Sequence, residues 1–263
     1  MSDVLGPVEG ANNIAVVVTA AGSGSRLGYG APKALVPLSH RGQLADESSI
    51  LAVALRHVAQ LDGVAEIVVT APADDIEACQ TLVERLVADV PVSVVEGGAS
   101  RQESVFQGLK ELERRGFGTG ADDVVLVHDA ARALAPTAMM QRVANAVHGT
   151  KRAVIPTLEV TDTLKQVASS PDHTEHVVGS VERRSMRTVQ TPQGFAWSTL
   201  WRAHREFAAR GLDEKHAATD DSTIAQWAGE TVWCVSGDDL AVKVTTPRDL
   251  AVARVLYAEQ NGK

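Results

Sequence analysis

The apolar positions of the chain fall into short continuous runs separated by segments with helical period. Ile14 to Thr19 (IAVVVT) is the first run. Glu66 to Thr70 (EIVVT), Val92 to Val95 (VSVV), Val124 to His128 (VVLVH) and Ala153 to Ile155 follow. Short β-branched runs without polar alternation predict strands buried on both faces. Between them, Leu51, Leu55, Val58 and Leu61 share one helical face. So do Ile76, Leu82, Val83 and Leu86, and again Val105, Leu109 and Leu112. Ser100 followed by Glu103 predicts a capping box at the start of that third helix. Strands alternating with helices predict an α/β fold with a doubly wound, mostly parallel sheet.

The alternation fails between Leu158 and Gln190. Short β-like pieces there flank a Ser/Pro/Asp turn at Ser169 to Asp172, which predicts a protruding β-hairpin arm over about 158–190. Regular structure resumes with a helix over Trp197 to Ala209 and another from Asp220. Strands are expected at Val232 to Val235 and Val242 to Val244. A last helix begins at Thr246-Pro247, with Thr as N-cap, Pro in the first turn and Asp249 following. No repeat or long linker divides the chain, so a single domain is expected over 14–257, preceded by a flexible extension over 1–13.

Composition narrows the function. The chain has 263 residues, 44% hydrophobic and 22% charged, as expected of a folded globular protein. Aromatics are only 4%, so the core must rest on Val, Ala and Leu. The formal net charge of −8 argues against a nucleic-acid coat or a membrane-surface protein. No apolar run approaches the ~18 residues of a membrane span, and the N-terminus lacks a secretory pattern. A cytoplasmic protein is expected. Cys79 and Cys234 form neither a disulfide framework nor a zinc cluster.

The loop after the first run, Ala20 to Gly28 (AAGSGSRLG), carries the first chemistry. Glycines after a strand let backbone N–H groups cradle phosphate oxygens, and Ala20, Ala21, Gly22, Ser23 and Gly24 are the candidates. Leu27 stands where a dinucleotide fingerprint needs its third glycine, and no Walker A sequence is present. Arg26 lies inside the loop and Lys33 follows Pro32. An Arg within the turn would crowd a dinucleotide pyrophosphate but suits a triphosphate, the bland alternative being a flexible loop with two solvated cations. Asp129 ends the fourth run at the carboxyl edge of the predicted sheet, where ligands sit in such folds. A carboxylate there suits Mg²⁺ shared with phosphates; a helix cap is its bland alternative. His128 beside it is expected to be structural, because an ionised phosphomonoester needs no general base to attack phosphorus.

Taken together, the loop with Pro32-Lys33, GGASRQES at 97–104, HDAAR at 128–132, TDTLK at 161–165, Arg183, TPQ at 191–193, TDD at 219–221 and KVT at 243–245 form an ordered set. The set resembles the cytidylyltransferases that use 2-C-methyl-D-erythritol 4-phosphate, over roughly 14–257. Thr19 and Ala133 stand where that family commonly has proline, and Ser39 to Ser48 is longer and more polar than its counterpart. The resemblance implies a Rossmann-like nucleotidyltransferase fold. It also implies CTP and a sugar-alcohol phosphate as substrates, Mg²⁺ or another divalent cation, and a homodimer whose arms cross between subunits. An isolated hairpin is marginal in water, which argues separately for a partner surface.

On that resemblance, Arg26 and Lys33 would be catalytic, stabilising charge on the α-phosphate and the departing pyrophosphate. Ala20, Ala21, Gly22, Ser23, Gly24, Gly98, Ser104, Asp129 and Ala130 would bind the nucleotide, with Asp129 the metal ligand. Lys243 and Arg183 would grip the acceptor's phosphate, with Asp162, Thr163 and Thr191 orienting it. A ribitol-5-phosphate cytidylyltransferase would share all these motifs. An NAD-linked oxidoreductase is disfavoured by the loop, and a non-catalytic nucleotide-binding protein by the retention of Arg26, Lys33, Asp129 and Lys243. Whether Ser39 to Ser48 is a lid or an inert insertion is left open by the sequence.

Overall fold

The computed structural model describes residues 13–22, 24–170 and 174–261. The expected extension over 1–13 and the tip of the arm turn therefore lie largely outside the described residues, as does Ser23. The first half alternates as the pattern predicts: β1 (Ile14–Thr19), α1 (Ile50–Ala59), β2 (Val64–Ala71), α2 (Ile76–Leu86), β3 (Val92–Glu96), α3 (Arg101–Arg114) and β4 (Val124–Asp129). Next come α4 (Thr137–Ala146), β5 (Ala153–Glu159) and the arm strands β6 (Lys165–Ser169), β7 (Glu175–Ser180) and β8 (Arg187–Val189). The chain closes with β9 (Gln193–Ala196), α5 (Trp197–Glu206), α6 (Ala208–Gly211), α7 (Asp221–Trp227), β10 (Val232–Ser236) and α8 (Pro247–Gln260).

An eight-stranded sheet runs β10-β5-β9-β4-β1-β2-β3, with β8 appended to β5. Strands β1, β2, β3 and β4 are mutually parallel, and β10 is parallel to β5. Strand β9 is antiparallel to both of its neighbours and β8 is antiparallel to β5, so the sheet is mainly parallel with two reversed strands. The period of two divides the sheet into its faces. Val16 and Val18 pack with Leu51, Leu82 and Met139 on one side. Val17 packs with Leu109, Phe195 and Leu200 on the other. Helices therefore cover both faces, which is why the strands read as unbroken apolar runs.

Two expectations fail in instructive ways. No strand forms at Val242 to Val244. That segment makes a single sheet-like contact, Val244 N–H to Ala131 O at 2.8 Å, with no second rung to extend it. The Ser100 cap forms, accepting from Glu103 N–H at 3.0 Å, but the Glu103 carboxylate accepts from Ala99 N–H instead of closing the box. The full capping box occurs at Thr246 and Asp249, opening α8.

The arm is a small antiparallel pair, β6 with β7, joined to the main sheet through β8 on β5. Val177 and Val178 on β7 are 60% and 52% exposed, so the arm holds no core of its own. Of the described helices, none is long and apolar enough to cross a membrane.

Candidate active site

Thr19 and Asp129 close the adjacent parallel strands β1 and β4 and sit opposite one another in register. That register lets the Thr19 hydroxyl donate to Asp129 Oδ1 at 3.2 Å. Arg101 Nε donates to the same oxygen at 3.0 Å, and Lys243 Nζ pairs with Oδ2 at 2.7 Å. Burial alone would raise the Asp129 pKa. Arg101 and Lys243 outweigh it and hold the carboxyl well below the usual carboxylate range. Arg101 is in turn held charged, its burial overcome by Asp221 and Asp129. The backbone N–H of Asp129 donates to Thr191 Oγ1 at 3.0 Å, so Thr191 fixes the end of β4.

The glycine loop closes one side of the cleft. Gly24 has φ +63°, and a Cβ there would stand 2.6 Å from Lys33 Cβ, so only glycine lets the loop fold against Lys33. Lys33 begins a short 3-10 turn after Pro32. Burial pushes its ammonium pKa down, Lys243 and Arg26 push it further, and Asp129 partly restores it. On the opposite side, Ser104 Oγ accepts from Gly98 N–H at 3.0 Å and donates to Ser100 O at 2.8 Å. Ser104 therefore acts by holding the Gly98 backbone.

Two cavities meet at this point. One, of 620 Å³, is lined by Arg26, Lys33, Gly98, Ser104, Ala130 and Lys243 among others. That size suits a nucleotide. The second, of 550 Å³, is lined by Arg132, Thr191, Gln193 and Asp220 among others. Arg101, Asp129, Thr219 and Lys243 line both. A more open cavity of 870 Å³ adjoins the first at Ala21 and Gly98, but its charged groups are Glu96, Glu103, Glu111 and Lys110. The excess of carboxylates makes it a poor host for phosphates.

Most of the expected residues are thus brought together: Ala20, Ala21, Gly22, Gly24, Arg26, Lys33, Gly98, Ser104, Asp129, Ala130 and Lys243 in the first cavity, Thr191 in the second. Asp162, Thr163 and Arg183 are not among them. They lie exposed in the arm and line none of the three cavities, and Arg183 Nη1 donates to Thr161 O within the arm. His128 is wholly buried, touches Thr191 Oγ1 through Nδ1 at 3.2 Å, and is driven to a pKa of about 4, chiefly by burial. It lines none of the three cavities, consistent with a structural part. Segment 39–48 lines none of the three either. Its Ala45 N–H donates to Leu35 O at 2.9 Å, so it underpins the turn that carries Lys33.

Three participants escape the sequence reading. Arg101 lies within the GGASR segment, Thr219 opens the TDD motif, and Arg132 ends the HDAAR segment, yet nothing local singles any of them out for a role. Arg132 donates to Ala241 O at 2.7 Å and Val189 O at 3.1 Å. It thereby ties the base of the arm to the segment leading to Lys243.

Residues 14–259 match the family model for 2-C-methyl-D-erythritol 4-phosphate cytidylyltransferase. The chain belongs to that family. Among relatives so named, the one from Saccharopolyspora erythraea is 41% identical, covering 94% of this chain and 100% of its own. The one from Corynebacterium diphtheriae is 39% identical over 92% and 93%. The structure of the cytidylyltransferase from Thermus thermophilus superposes with a TM-score of 0.66 at 30% identity, covering 93% of this chain and 98% of that one. This member of the cytidylyltransferase family builds its paired cavities at the carboxyl ends of β1 and β4, the position expected for a ligand in an open α/β sheet.

Proposed function

We propose that the chain transfers the cytidylyl group of CTP to 2-C-methyl-D-erythritol 4-phosphate, forming 4-diphosphocytidyl-2-C-methyl-D-erythritol and pyrophosphate for isoprenoid biosynthesis. Beyond family membership, one observation carries the reading. Two cavities, one rich in cations, share Arg101, Asp129, Thr219 and Lys243 at their junction. A two-substrate transfer needs that arrangement, with the bond made where the subsites meet. An ionised phosphate oxygen of the acceptor attacks the α-phosphorus of CTP. The bond to the β-phosphate bridging oxygen breaks and its electron pair leaves with pyrophosphate. No proton moves, so no base is required, and the work is alignment and charge neutralisation.

Arg26 and Lys33 serve as the charge-stabilising pair at the α-phosphate and pyrophosphate. The backbone around Ala20 to Gly24, with Gly98 held by Ser104, forms the nucleotide cradle. Lys243 lines both cavities, where it would grip the acceptor's phosphate. A divalent cation would take Asp129 as a single carboxylate ligand through Oδ2, the oxygen it would share with Lys243, because Oδ1 already accepts from Thr19 and Arg101. The described residues hold no cluster of three or more acidic, His or Cys groups that could cage a metal alone. A Mg²⁺ bound through one carboxylate and substrate phosphates is the ordinary arrangement for that ion, and it would neutralise triphosphate charge.

Arg183, Asp162 and Thr163 act on the acceptor from the arm of a second copy in a homodimer. The arm's exposed valines and the absence of these residues from the cavities of their own chain support this. Its charged substrates do not cross membranes unaided, which supports a cytoplasmic location. The test is pyrophosphate release with CTP, Mg²⁺ and methylerythritol phosphate, with ribitol 5-phosphate as comparison. Release that requires both substrates and is faster with methylerythritol phosphate is expected. Faster release with ribitol phosphate would replace the acceptor in this reading.

A further inference from the structure

Behind Asp129 lies a buried polar network whose inner members, Asp221 and His204, line neither of the two cavities. Arg101, the first residue of α3, uses Nε to hold Asp129 and Nη1 to donate to Asp221 Oδ2 at 2.7 Å. Asp221 begins α7, and its Oδ1 meets His204 Nε2 at 3.1 Å. Because a carboxylate only accepts, His204 carries its hydrogen on Nε2. The side chains of Asp221 and His204 are both 0% exposed, and the His204 ring stacks on Phe106 at 5.9 Å between centroids. Four elements, α3, α5, α7 and β4, are thus connected by one chain of hydrogen bonds.

Burying two carboxylates and a guanidinium is seldom the most stable way to fill a core. Here the chain of bonds ends at Asp129, which lines both cavities. The guanidinium is a planar fork, so fixing one of its nitrogens fixes the direction of the others. Asp221 pins Nη1, which sets the angle at which Nε meets Asp129 Oδ1. Oδ2 is then left facing Lys243 and the cleft. Asp221 is itself oriented by His204 on its other oxygen.

We propose that Asp221 and His204 are positioning residues, acting through Arg101 to orient the Asp129 carboxylate at the junction of the two cavities. The proposal rests on the cytidylyltransferase reading of that junction. Partners that orient a metal-ligating group typically change activity about tenfold to a hundredfold, and the same range is expected for a partner that orients Asp129. Asp221→Asn, close to isosteric, is therefore expected to lower kcat about tenfold to a hundredfold while the KM for CTP stays within about threefold. Arg101→Lys keeps a charge but loses the fork, so it is expected to do no better than Arg101→Ala.

A second series separates positioning from packing. His204→Gln keeps a donor toward Asp221, whereas His204→Leu fills the space without one. Positioning predicts that Gln recovers most of the kcat lost in His204→Ala and that Leu does not; recovery with Leu would overturn the proposal. The His204 series carries the test alone if Asp221→Asn does not fold, with calorimetric CTP affinity as a readout independent of turnover. Wild-type enzyme in the same assay keeps the two ideas apart. No wild-type turnover would remove the proposed function and the relay with it. Wild-type turnover with Asp221→Asn at wild-type kcat would remove the relay only.

Discussion

The cleft and the arm are built on opposite principles. At the cleft, Asp129 is almost fully buried and both oxygens of its carboxylate are engaged, by Thr19, Arg101 and Lys243. At the arm, Val167, Val177 and Val178 are 46%, 60% and 52% exposed, and Arg183 bonds only within the arm among the described residues. The cleft is preorganised by one chain. The arm offers substrate-type side chains and apolar surface that its own chain leaves uncovered. A preorganised polar site loses little on binding charge, while an exposed two-stranded pair needs support from elsewhere. The contrast is the one expected if, as proposed, nucleotide chemistry belongs to the single chain and acceptor binding to a pair of chains.

The largest expected effect breaks the cleft. Lys33→Ala lowers kcat by about 10²–10³, the usual cost of removing one charge-stabilising group, and Arg26→Ala falls in the same range. Turnover within a few-fold of wild type in a pyrophosphate-release assay would contradict the assignment. Next, Arg183→Ala raises the acceptor KM about tenfold or more while calorimetric CTP affinity is unchanged, because it removes acceptor binding made equally in the ground and transition states. Mixing Lys33→Ala with Arg183→Ala subunits sharpens this. With acceptor held well below its KM, where Arg183→Ala retains about a tenth or less of the wild-type rate and Lys33→Ala less still, about half of the random dimers are mixed and each holds one intact site, so about a quarter of the wild-type rate returns. A mixture no faster than the mean of its two parents would assign each arm to its own cleft.

A third expectation concerns pH and the floor of the site. The folded pKa of His128, about 4, lies below the ordinary histidine value. The unfolded chain therefore binds the proton first, and stability falls as pH drops from about 6.5 toward 4. The full loss is on the order of 3 kcal/mol. Asp129 does not share this window, because its stabilisation is lost only below the ordinary carboxylate pKa. Denaturant unfolding at about pH 7 and about pH 4.5, on either side of most of that window, should show the drop, and His128→Leu should reduce it, leaving the part due to His57, which burial also shifts down; an unchanged slope would count against the cause. The smallest effect is on the arm. Val177→Lys should leave core unfolding within about 0.5 kcal/mol while shifting the oligomeric state seen by light scattering. A dimer that survives the change would move the contact away from this face.

The same contrast explains what the sequence reveals. Strands β1 to β5 and helices α1 to α3 announce themselves because burial on one or both faces leaves a period in the residues. Strand β9 leaves no such trace: QGFA is short, carries a glycine, and is held in the sheet by neighbours remote in the chain. Val242 to Val244 shows the reverse, a β-like composition with no second strand to pair with. The loop proposed to handle phosphates is legible from Arg26 and Lys33, since cations among glycines suit a triphosphate. The Arg101–Asp221 pair is not, because 120 positions separate its members and each alone resembles a surface charge. Arg183, by contrast, is found only through the family resemblance, and its own surroundings in the arm give it no partner outside that arm among the described residues.

One measurement bears on the central claim most directly. CTP labelled at the α-phosphate is incubated with the enzyme, Mg²⁺ and methylerythritol phosphate, and the labelled products are separated. The account predicts that the label moves into diphosphocytidyl-methylerythritol, one equivalent for each pyrophosphate released, and that nothing moves without acceptor. Label that stays in CTP, or appears as free CMP whether or not acceptor is present, would contradict it.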